Sequence, residues 1–158
     1  MLKKLPRFAT TINDQAEIDL LSTIEEFVGE RLDRTDHWFI IDFEGERVCA
    51  ELKTRTVTRD RYQTTMIGEN KISYLLEMSQ TGKNCYVFFQ FSDGLFSIEI
   101  NDATVSTFTR HQRGGRRDRG YNEIKDSGYC YIPTSMLIVV PAKTEPEPQK
   151  DDDTIHKQ

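Results

Sequence analysis

Residues 37–55 read HWFIIDFEGERVCAELKTR, and this stretch decides the predicted fold. In each half, apolar side chains alternate with polar ones, which is the pattern of a half-buried strand. Glu44 and Gly45 between the halves are typical of a two-residue hairpin turn. A turn at that position pairs Phe43 with Glu46 and so fixes the register of the whole hairpin.

The predicted register gives the hairpin one apolar and one polar face. It places Trp38 opposite Glu51 and Asp36 opposite Lys53, and cross-strand partners point to the same side of a sheet. The other side collects the apolar residues of both strands, which are Phe39, Ile41, Phe43, Val48, Ala50 and Leu52. We therefore expect the apolar side to lie on the core and the polar side to carry Asp36, Glu51 and Lys53.

The polar face has the chemistry of a metal site. Opposed Cβ atoms lie roughly 4.5–5.5 Å apart and diagonal ones about 7–8 Å, so Asp36 and Glu51 can share one hard divalent cation while Lys53 lies one step beyond. Such a set suits phosphodiester hydrolysis, because the cation polarises the phosphate and acidifies a water while the Lys orients that water or stabilises developing charge. Asp42 faces the same side, where we expect it to pair with Arg47. The alternative is an exposed strand face with cross-strand ion pairs, which contribute little to stability.

The arrangement resembles the PD-(D/E)xK nuclease superfamily. The motif reads Thr35-Asp36, fourteen intervening residues, then Glu51-Leu52-Lys53. The stretches ELKTR and TTMIGENK are also similar to small nucleases of large DNA viruses and phages. The resemblance implies a restriction-endonuclease-like αβββαβ core and hydrolysis of DNA that depends on Mg²⁺ or Mn²⁺. It also implies that the Leu52 carbonyl is a further metal ligand.

The rest of the chain predicts an α/β fold of the α+β type, with a central mixed sheet flanked by helices. Apolar periodicity over residues 14–30 and again over 66–80 indicates two helices, and Gly82 ends the second. Residues 92–94 (SDG) separate CYVFFQF from LFSIEI, which indicates a second hairpin. Because the first of these two strands is almost entirely apolar, we expect it to be buried on both faces.

The two helices add candidate site residues. The superfamily often takes a third carboxylate from its first helix, where Glu25 lies at the edge of the apolar arc and Glu17 lies in the first turn. We favour Glu25, since Glu17 has the spacing of a capping residue. Lys71 lies inside the apolar arc of the second helix, so it either extends past the core edge to water or reaches the metal-bearing face and contacts a phosphate.

Positive charge is concentrated in two segments, residues 53–61 and 110–119. Arginine can bind phosphate without reading sequence, so both segments are candidates for DNA contact, the alternative for the second being a solubilising loop. The predicted DNA-binding residues are Lys71, Arg55, Arg59, Arg113, Arg116 and Arg117. Tyr62 and Trp38 are candidates for base stacking, although packing in the core or at its edge is the simpler interpretation.

The composition fits one domain with a charged tail. The chain has 158 residues, 37% hydrophobic and 30% charged, with a net charge of −5, which excludes wholesale disorder and disfavours tight, sequence-independent coating of nucleic acid. We expect a nuclease-like domain over residues 1–141 and a disordered acidic tail over 142–158. No apolar stretch approaches the roughly 20 residues of a membrane span, and the three cysteines have no disulfide-like spacing. We therefore expect an intracellular protein with no membrane partner.

Together these features predict a metal-dependent endonuclease that hydrolyses DNA phosphodiester bonds, with branched or junction DNA among the candidate substrates. Asp36, Glu51 and Glu25 hold the metal, and Lys53 assists the attacking water. The alternative is a non-catalytic nucleic-acid-binding or protein-binding module on the same fold. A homodimer fits either function.

Overall fold

A computed structural model describes residues 12–111 and 128–143. The helices are α1 (Ile12–Val28), α2 (Glu69–Ser79) and the short α3 (Asp102–Val105). The strands are β1 (Asp33–Arg34), β2 (Phe43–Glu44), β3 (Val48–Thr54), β4 (Thr64–Gly68), β5 (Asn84–Phe91), β6 (Gly94–Glu99), β7 (Thr109–His111), β8 (Tyr129–Pro133) and β9 (Ile138–Val139). Helices and a mixed sheet in this order make an α/β protein, as the sequence predicts.

The main sheet has six strands in the order β1-β2-β3-β5-β6-β9. Strands β3 and β5 run parallel, while the other neighbours in this sheet are antiparallel. Because a parallel pair needs a crossover, α2 lies between β3 and β5 in the chain. From α1 to β5 the elements follow the expected αβββαβ order, with β4 inserted before α2, and the fold is restriction-endonuclease-like.

Apolar side chains cover both faces of the main sheet. Even-numbered residues of β3 pack with Phe88 and with Ile24 of α1, and odd-numbered residues of β5 pack with Ile72 and Leu75 of α2. The strand β5 is buried on both faces, which confirms the prediction made for it. The alternative of an exposed strand face does not hold for β3, because the α2 crossover covers that side. Glu51 consequently lies in the interior, with 1% of its surface exposed.

The register of the first hairpin differs from the predicted one. Phe43 pairs with Ala50 rather than with Glu46, a displacement of four residues along β3. The predicted pairs of Trp38 with Glu51 and of Asp36 with Lys53 are therefore not formed. The cross-strand geometry that favoured Asp36 as a ligand is lost with them.

The turn of this hairpin is longer than two residues because its first residues pack tightly against the end of α1. The Gly45 N–H donates to the Val48 carbonyl at 2.8 Å, and the Arg47 N–H donates to the Glu30 carboxylate at 2.8 Å. A Cβ at Gly45 would lie 2.4 Å from that carboxylate and 2.9 Å from the Arg31 carbonyl. Glycine therefore allows the turn to sit against the end of α1, which sets the register.

A second sheet of three strands, in the order β4-β8-β7, does not figure in the sequence-based prediction. Strand β4 takes up Thr64–Gly68, and α2 begins only at Glu69, so the predicted helix start near residue 66 is wrong. Thr65 and Ile67 are buried, whereas Thr64 and Met66 are exposed. This is the alternation of a strand, but it covers too few residues to outweigh the helical period that follows.

Several sequence-based predictions concern parts of the chain that the structure does not describe. Arg113, Arg116 and Arg117 lie outside the described residues, and so do residues 144–158 of the predicted tail. In the two described ranges, no helix has both the length and the apolar character that crossing a membrane requires. All three cysteines are buried and free of disulfides.

Candidate active site

Glu51 is the centre of the site. It lies in the middle of β3, paired with Val87 of the parallel strand β5, and its side chain is enclosed between the sheet and α2. Its Oε2 is 3.2 Å from the Lys53 Nζ and 3.4 Å from the Lys71 Nζ. Its Oε1 is buried and has no hydrogen-bond partner among the described residues. Burial, followed by the nearby Asp42 carboxylate, raises the pKa of Glu51 to about 7, and the two lysines offset only part of that rise.

Asp42 stands where the ladder between β2 and β3 stops. The strands pair only through Phe43–Ala50 and Glu44–Cys49, and continuing this register brings Asp42 beside Glu51. The Asp42 Oδ2 accepts the Leu52 N–H at 2.9 Å, a bond that a strand carbonyl would otherwise take. The Asp42 carboxylate thus takes the place of a backbone acceptor at the edge of β3. In this position it lies next to Glu51.

The same hydrogen bond orients Leu52. In a β-strand the N–H and C=O of one residue point to the same edge. Because the Leu52 N–H points to Asp42, the Leu52 carbonyl is also directed to that edge, beyond the last residue pair of β2 and β3. The backbone there can supply an oxygen beside the carboxylates, which is the arrangement that the superfamily resemblance implies.

Glu17 of α1 approaches Asp42 from the other face of the sheet. Arg34 donates to the Glu17 Oε1 from Nε at 3.1 Å and from Nη2 at 2.9 Å, and its Nη2 also lies 3.4 Å from Asp14. Burial and the Asp42 carboxylate raise the pKa of Glu17 to about 7 against the opposing effect of Arg34. A protonated Glu17 can donate a hydrogen bond to the Asp42 carboxylate. Glu17, rather than Glu25, is therefore the α1 carboxylate that this corner of the molecule brings to Asp42.

The two lysines come from different elements. Lys53 follows Glu51 by two residues on β3 and so points to the same face, while Lys71 lies in the first turn of α2. The Lys71 ammonium also donates to the Ile40 carbonyl, just before Asp42. Of the two sequence-based alternatives for Lys71, the geometry favours the one in which it reaches the carboxylate face.

The other predicted ligands have different surroundings. Asp36 is exposed, and its Oδ1 accepts the Trp38 N–H at 3.1 Å within the loop that follows β1. The Glu25 Oε2 accepts the Leu32 N–H at 2.8 Å and so closes the turn after α1. Arg47 lies 3.9 Å from Glu30, so its expected partnership with Asp42 is wrong, since the register shift moves Asp42 away from the turn.

Of the predicted DNA-binding arginines, two are described. The Arg55 Nε donates to the Thr65 hydroxyl at 3.3 Å, Nη2 donates to the Met66 carbonyl, and the guanidinium stacks over Phe89 with 5.5 Å to the ring centroid. Arg59 lies 3.2 Å from Asp60 and stacks over Phe96 at 5.2 Å. Arg55 in particular joins the two sheets. DNA binding by either residue stays a prediction.

The donors around Asp42 fit a hard divalent cation. Glu17, Asp42 and Glu51 carry carboxylate oxygens and Leu52 a carbonyl, which are the ligand types that Mg²⁺ and Mn²⁺ prefer. In residues 12–111 and 128–143 no three Asp, Glu, His or Cys side chains already converge as a metal-binding cluster. The lysines contact one oxygen of Glu51, and Arg34 binds Glu17. The buried Glu51 Oε1 is nevertheless a group that a cation would complete, since a buried oxygen without a partner is costly.

Comparison with known families agrees with this geometry. A family model described as "Phage putative PDDEXK endonuclease" matches residues 4–140. The chain belongs to this phage PD-(D/E)xK endonuclease family. A search of curated proteins finds no match.

Glu51, Leu52 and Lys53, the predicted Glu-x-Lys part of the motif, lie together on β3, and their role in the site stays a prediction. For the Asp of the motif the geometry points to Asp42, nine residues before Glu51, rather than to Asp36. A signal for it was present in the sequence, because Asp42 directly follows the apolar pair Ile40-Ile41 at a strand start. The predicted two-residue turn at Glu44-Gly45 places Asp42 close to the turn, which favours an ion pair with Arg47 over a role as a metal ligand.

Proposed function

We propose that the protein is a divalent-metal-dependent endonuclease that hydrolyses phosphodiester bonds of DNA. The proposal depends most on one observation, which is that Glu51 is held inside the protein with a pKa raised to about 7 and one oxygen without a partner. Strongly perturbed carboxylates that meet in one place are a mark of active sites. Membership in the phage endonuclease family supports the same conclusion.

Asp42, Glu51 and the Leu52 carbonyl are the proposed ligands, with Glu17 as the third carboxylate. Mg²⁺ is the first candidate cofactor and Mn²⁺ the second, because both prefer oxygen donors. When bound, such an ion supplies charge that polarises the phosphate and lowers the pKa of water. Asp42 keeps its orientation through the Leu52 N–H, so its second oxygen can face the ion.

Lys53 is the proposed catalytic lysine. Its ammonium lies 3.2 Å from the Glu51 Oε2. From this position Lys53 can orient the attacking water and stabilise the charge that develops on the phosphate. Lys71 shares the same carboxylate at 3.4 Å and is proposed to contact the DNA phosphate.

A nuclease assay with a matched pair of variants tests this assignment. Asp42→Asn should lower the cleavage rate of plasmid or oligonucleotide DNA by about 10²-fold or more, because it removes charge from a metal ligand. Added Mg²⁺ or Mn²⁺ should partly restore the rate. Asp36→Asn is the control, since an Asn oxygen still accepts the Trp38 N–H, and it should cleave as the wild type does.

The opposite result, a loss of cleavage with Asp36→Asn and none with Asp42→Asn, would instead identify Asp36 in the exposed loop as the metal ligand. If wild-type protein binds DNA but cleaves no substrate with either ion, the protein is a binding module that keeps the nuclease fold. Sedimentation of the wild type with and without DNA tests the further prediction of a homodimer.

A further inference from the structure

Trp38 is the most exposed large apolar side chain of the described residues, with 82% of its surface accessible. It is also the single tryptophan of the chain. It lies between β1 and β2, in the loop that ends at Asp42. A large aromatic ring left in water is unusual, because Trp side chains are highly buried on average.

Hydrogen bonds across its base hold this loop in shape. The Thr35 N–H donates to the Asp42 carbonyl at 2.9 Å, and the Thr35 hydroxyl donates to the Ile41 carbonyl. Within the loop, the Phe39 N–H donates to the Asp36 carbonyl at 2.9 Å, and the Asp36 carboxylate accepts the Trp38 N–H. The ring of Trp38 is therefore presented from a closed loop, so a ligand would order little backbone on binding it.

The loop is also attached to the proposed active site. Lys71 joins the Ile40 carbonyl to the Glu51 carboxylate, and the Phe39 ring packs edge-on against Tyr74 of α2 at 5.9 Å. Three residues lie between Trp38 and Asp42, so the four Cα-to-Cα steps span at most about 14 Å even if fully extended. At roughly 3.4 Å per nucleotide along one strand, the Trp38 Cα lies within about four nucleotides of a phosphate bound at Asp42.

We propose that Trp38 stacks on an unpaired nucleobase within about four nucleotides of the cleaved phosphate, so that the substrate is DNA with an unpaired segment there, such as a gap, flap or branch. The cleavage arm of this inference depends on the proposed nuclease function. In an intact duplex each base is covered by its neighbours, whereas an unpaired base offers a free face to an aromatic ring. The neighbouring cations Lys53 and Lys71 attract the phosphates of such a strand.

A nucleic acid fits this ring better than a protein partner does. In its loop Trp38 has polar residues on one side and the exposed Phe39 on the other, whereas the core of a protein interface is a broader, contiguous apolar surface. One exposed ring in the loop that Lys71 contacts, with partly exposed cations at the carboxylates, matches a base attached to a phosphate chain. The stack would select DNA structure without selecting sequence, because every base has a π-face.

Intrinsic fluorescence tests the inference directly, since the emission of the single tryptophan reports on Trp38 alone. The Lys53→Ala protein in Mg²⁺ is titrated with two oligonucleotide duplexes of one sequence, one fully paired and one with a three-nucleotide gap. We expect strong quenching of the Trp38 emission by the gapped DNA and little by the paired DNA. Equal quenching by both DNAs, or none by either, would overturn the inference, and the second result would assign the ring to a protein partner.

Cleavage by otherwise wild-type enzyme provides the second test. Trp38→Ala should lower the cleavage rate of gapped DNA about ten-fold relative to paired DNA, and Trp38→Phe should restore most of that preference. Ile138→Ala removes a comparably exposed side chain on β9, at the opposite edge of the main sheet, and should change neither rate. An equal loss on both DNAs with Trp38→Ala would contradict the inference while leaving the nuclease function intact. If the wild type cleaves no DNA, the nuclease proposal fails, and the fluorescence titration still decides whether Trp38 binds a base.

Discussion

The β5–β6 and β2–β3 hairpins belong to the same sheet but differ in how completely they are paired. The β5–β6 ladder runs without interruption from Tyr86–Glu99 to Phe91–Gly94 around a tight turn, and apart from Ser97 its buried side chains are apolar. The β2–β3 ladder has two residue pairs and then stops. Beyond that point Asp42 replaces a backbone acceptor, and Glu51 is buried with an oxygen that lacks a partner.

The difference separates the parts of the sheet that stabilise the fold from the part that forms the site. In a complete ladder the backbone N–H and C=O groups that face the partner strand are used in hydrogen bonds between the strands. A ladder that ends early exposes the edge of β3 inside the protein, where the carboxylates of α1, β2 and β3 can meet. The price is buried charge, which lowers stability unless a ligand compensates for it.

The largest expected effect on stability comes from the complete hairpin. Phe88→Ala on β5 removes a fully buried ring and should lower the free energy of unfolding by about 3–5 kcal/mol. Urea unfolding followed by circular dichroism measures this loss, and Phe88→Leu should show a smaller one. A change below about 1 kcal/mol would mean that the core does not depend on β5 in the way described.

The largest expected effect on catalysis comes from the incomplete hairpin. Lys53→Ala should lower the cleavage rate by about 10²–10³-fold because it removes stabilisation of charge in the transition state, while DNA binding remains nearly unchanged. Lys83→Ala is the matched control, since Lys83 lies 3.7 Å from Glu44 near the turn of the same hairpin. Equal rates for both variants in a single-turnover assay would remove Lys53 from the mechanism.

A smaller effect is expected in the pH dependence of stability without metal. The pKa of Glu51 rises from the ordinary 4.5 to about 7 on folding, so the folded state retains a proton that the unfolded chain has lost. The free energy of unfolding should therefore fall as pH rises from about 5 to 7. Glu51→Gln removes this contribution, and its stability relative to the wild type should increase over the same interval. A difference between the two proteins that is independent of pH would contradict a raised Glu51 pKa.

The sequence predicts the complete hairpin better than the incomplete one, for physical reasons. Residues 84–99 follow local rules, because alternation, apolar character and turn residues all agree there. In the first hairpin Glu51, Leu52 and Lys53 could be recognised from the motif. The register could not, because it depends on Gly45 packing against the end of α1, a contact between segments distant in the chain. The sequence favours Glu25 over Glu17 for the same reason, because the interaction between Glu17 and Asp42 forms only when distant parts of the chain pack together.

The central claim is that Glu51 is buried as the ligand of a divalent cation, and thermal unfolding at pH 8 tests it most directly. The melting temperatures of the wild type, Glu51→Gln and the control Glu99→Gln on β6 are measured in EDTA and in saturating Mg²⁺ or Mn²⁺. A site that binds the ion only when folded raises the wild-type melting temperature by several degrees, as a ligand at about 100 times its Kd contributes about 2.7 kcal/mol. We expect that shift for the wild type and for Glu99→Gln, and we expect Glu51→Gln to lose it. In EDTA, Glu51→Gln should be at least as stable as the wild type. A Glu51→Gln protein that is less stable in EDTA and still gains the full shift with metal would contradict the claim.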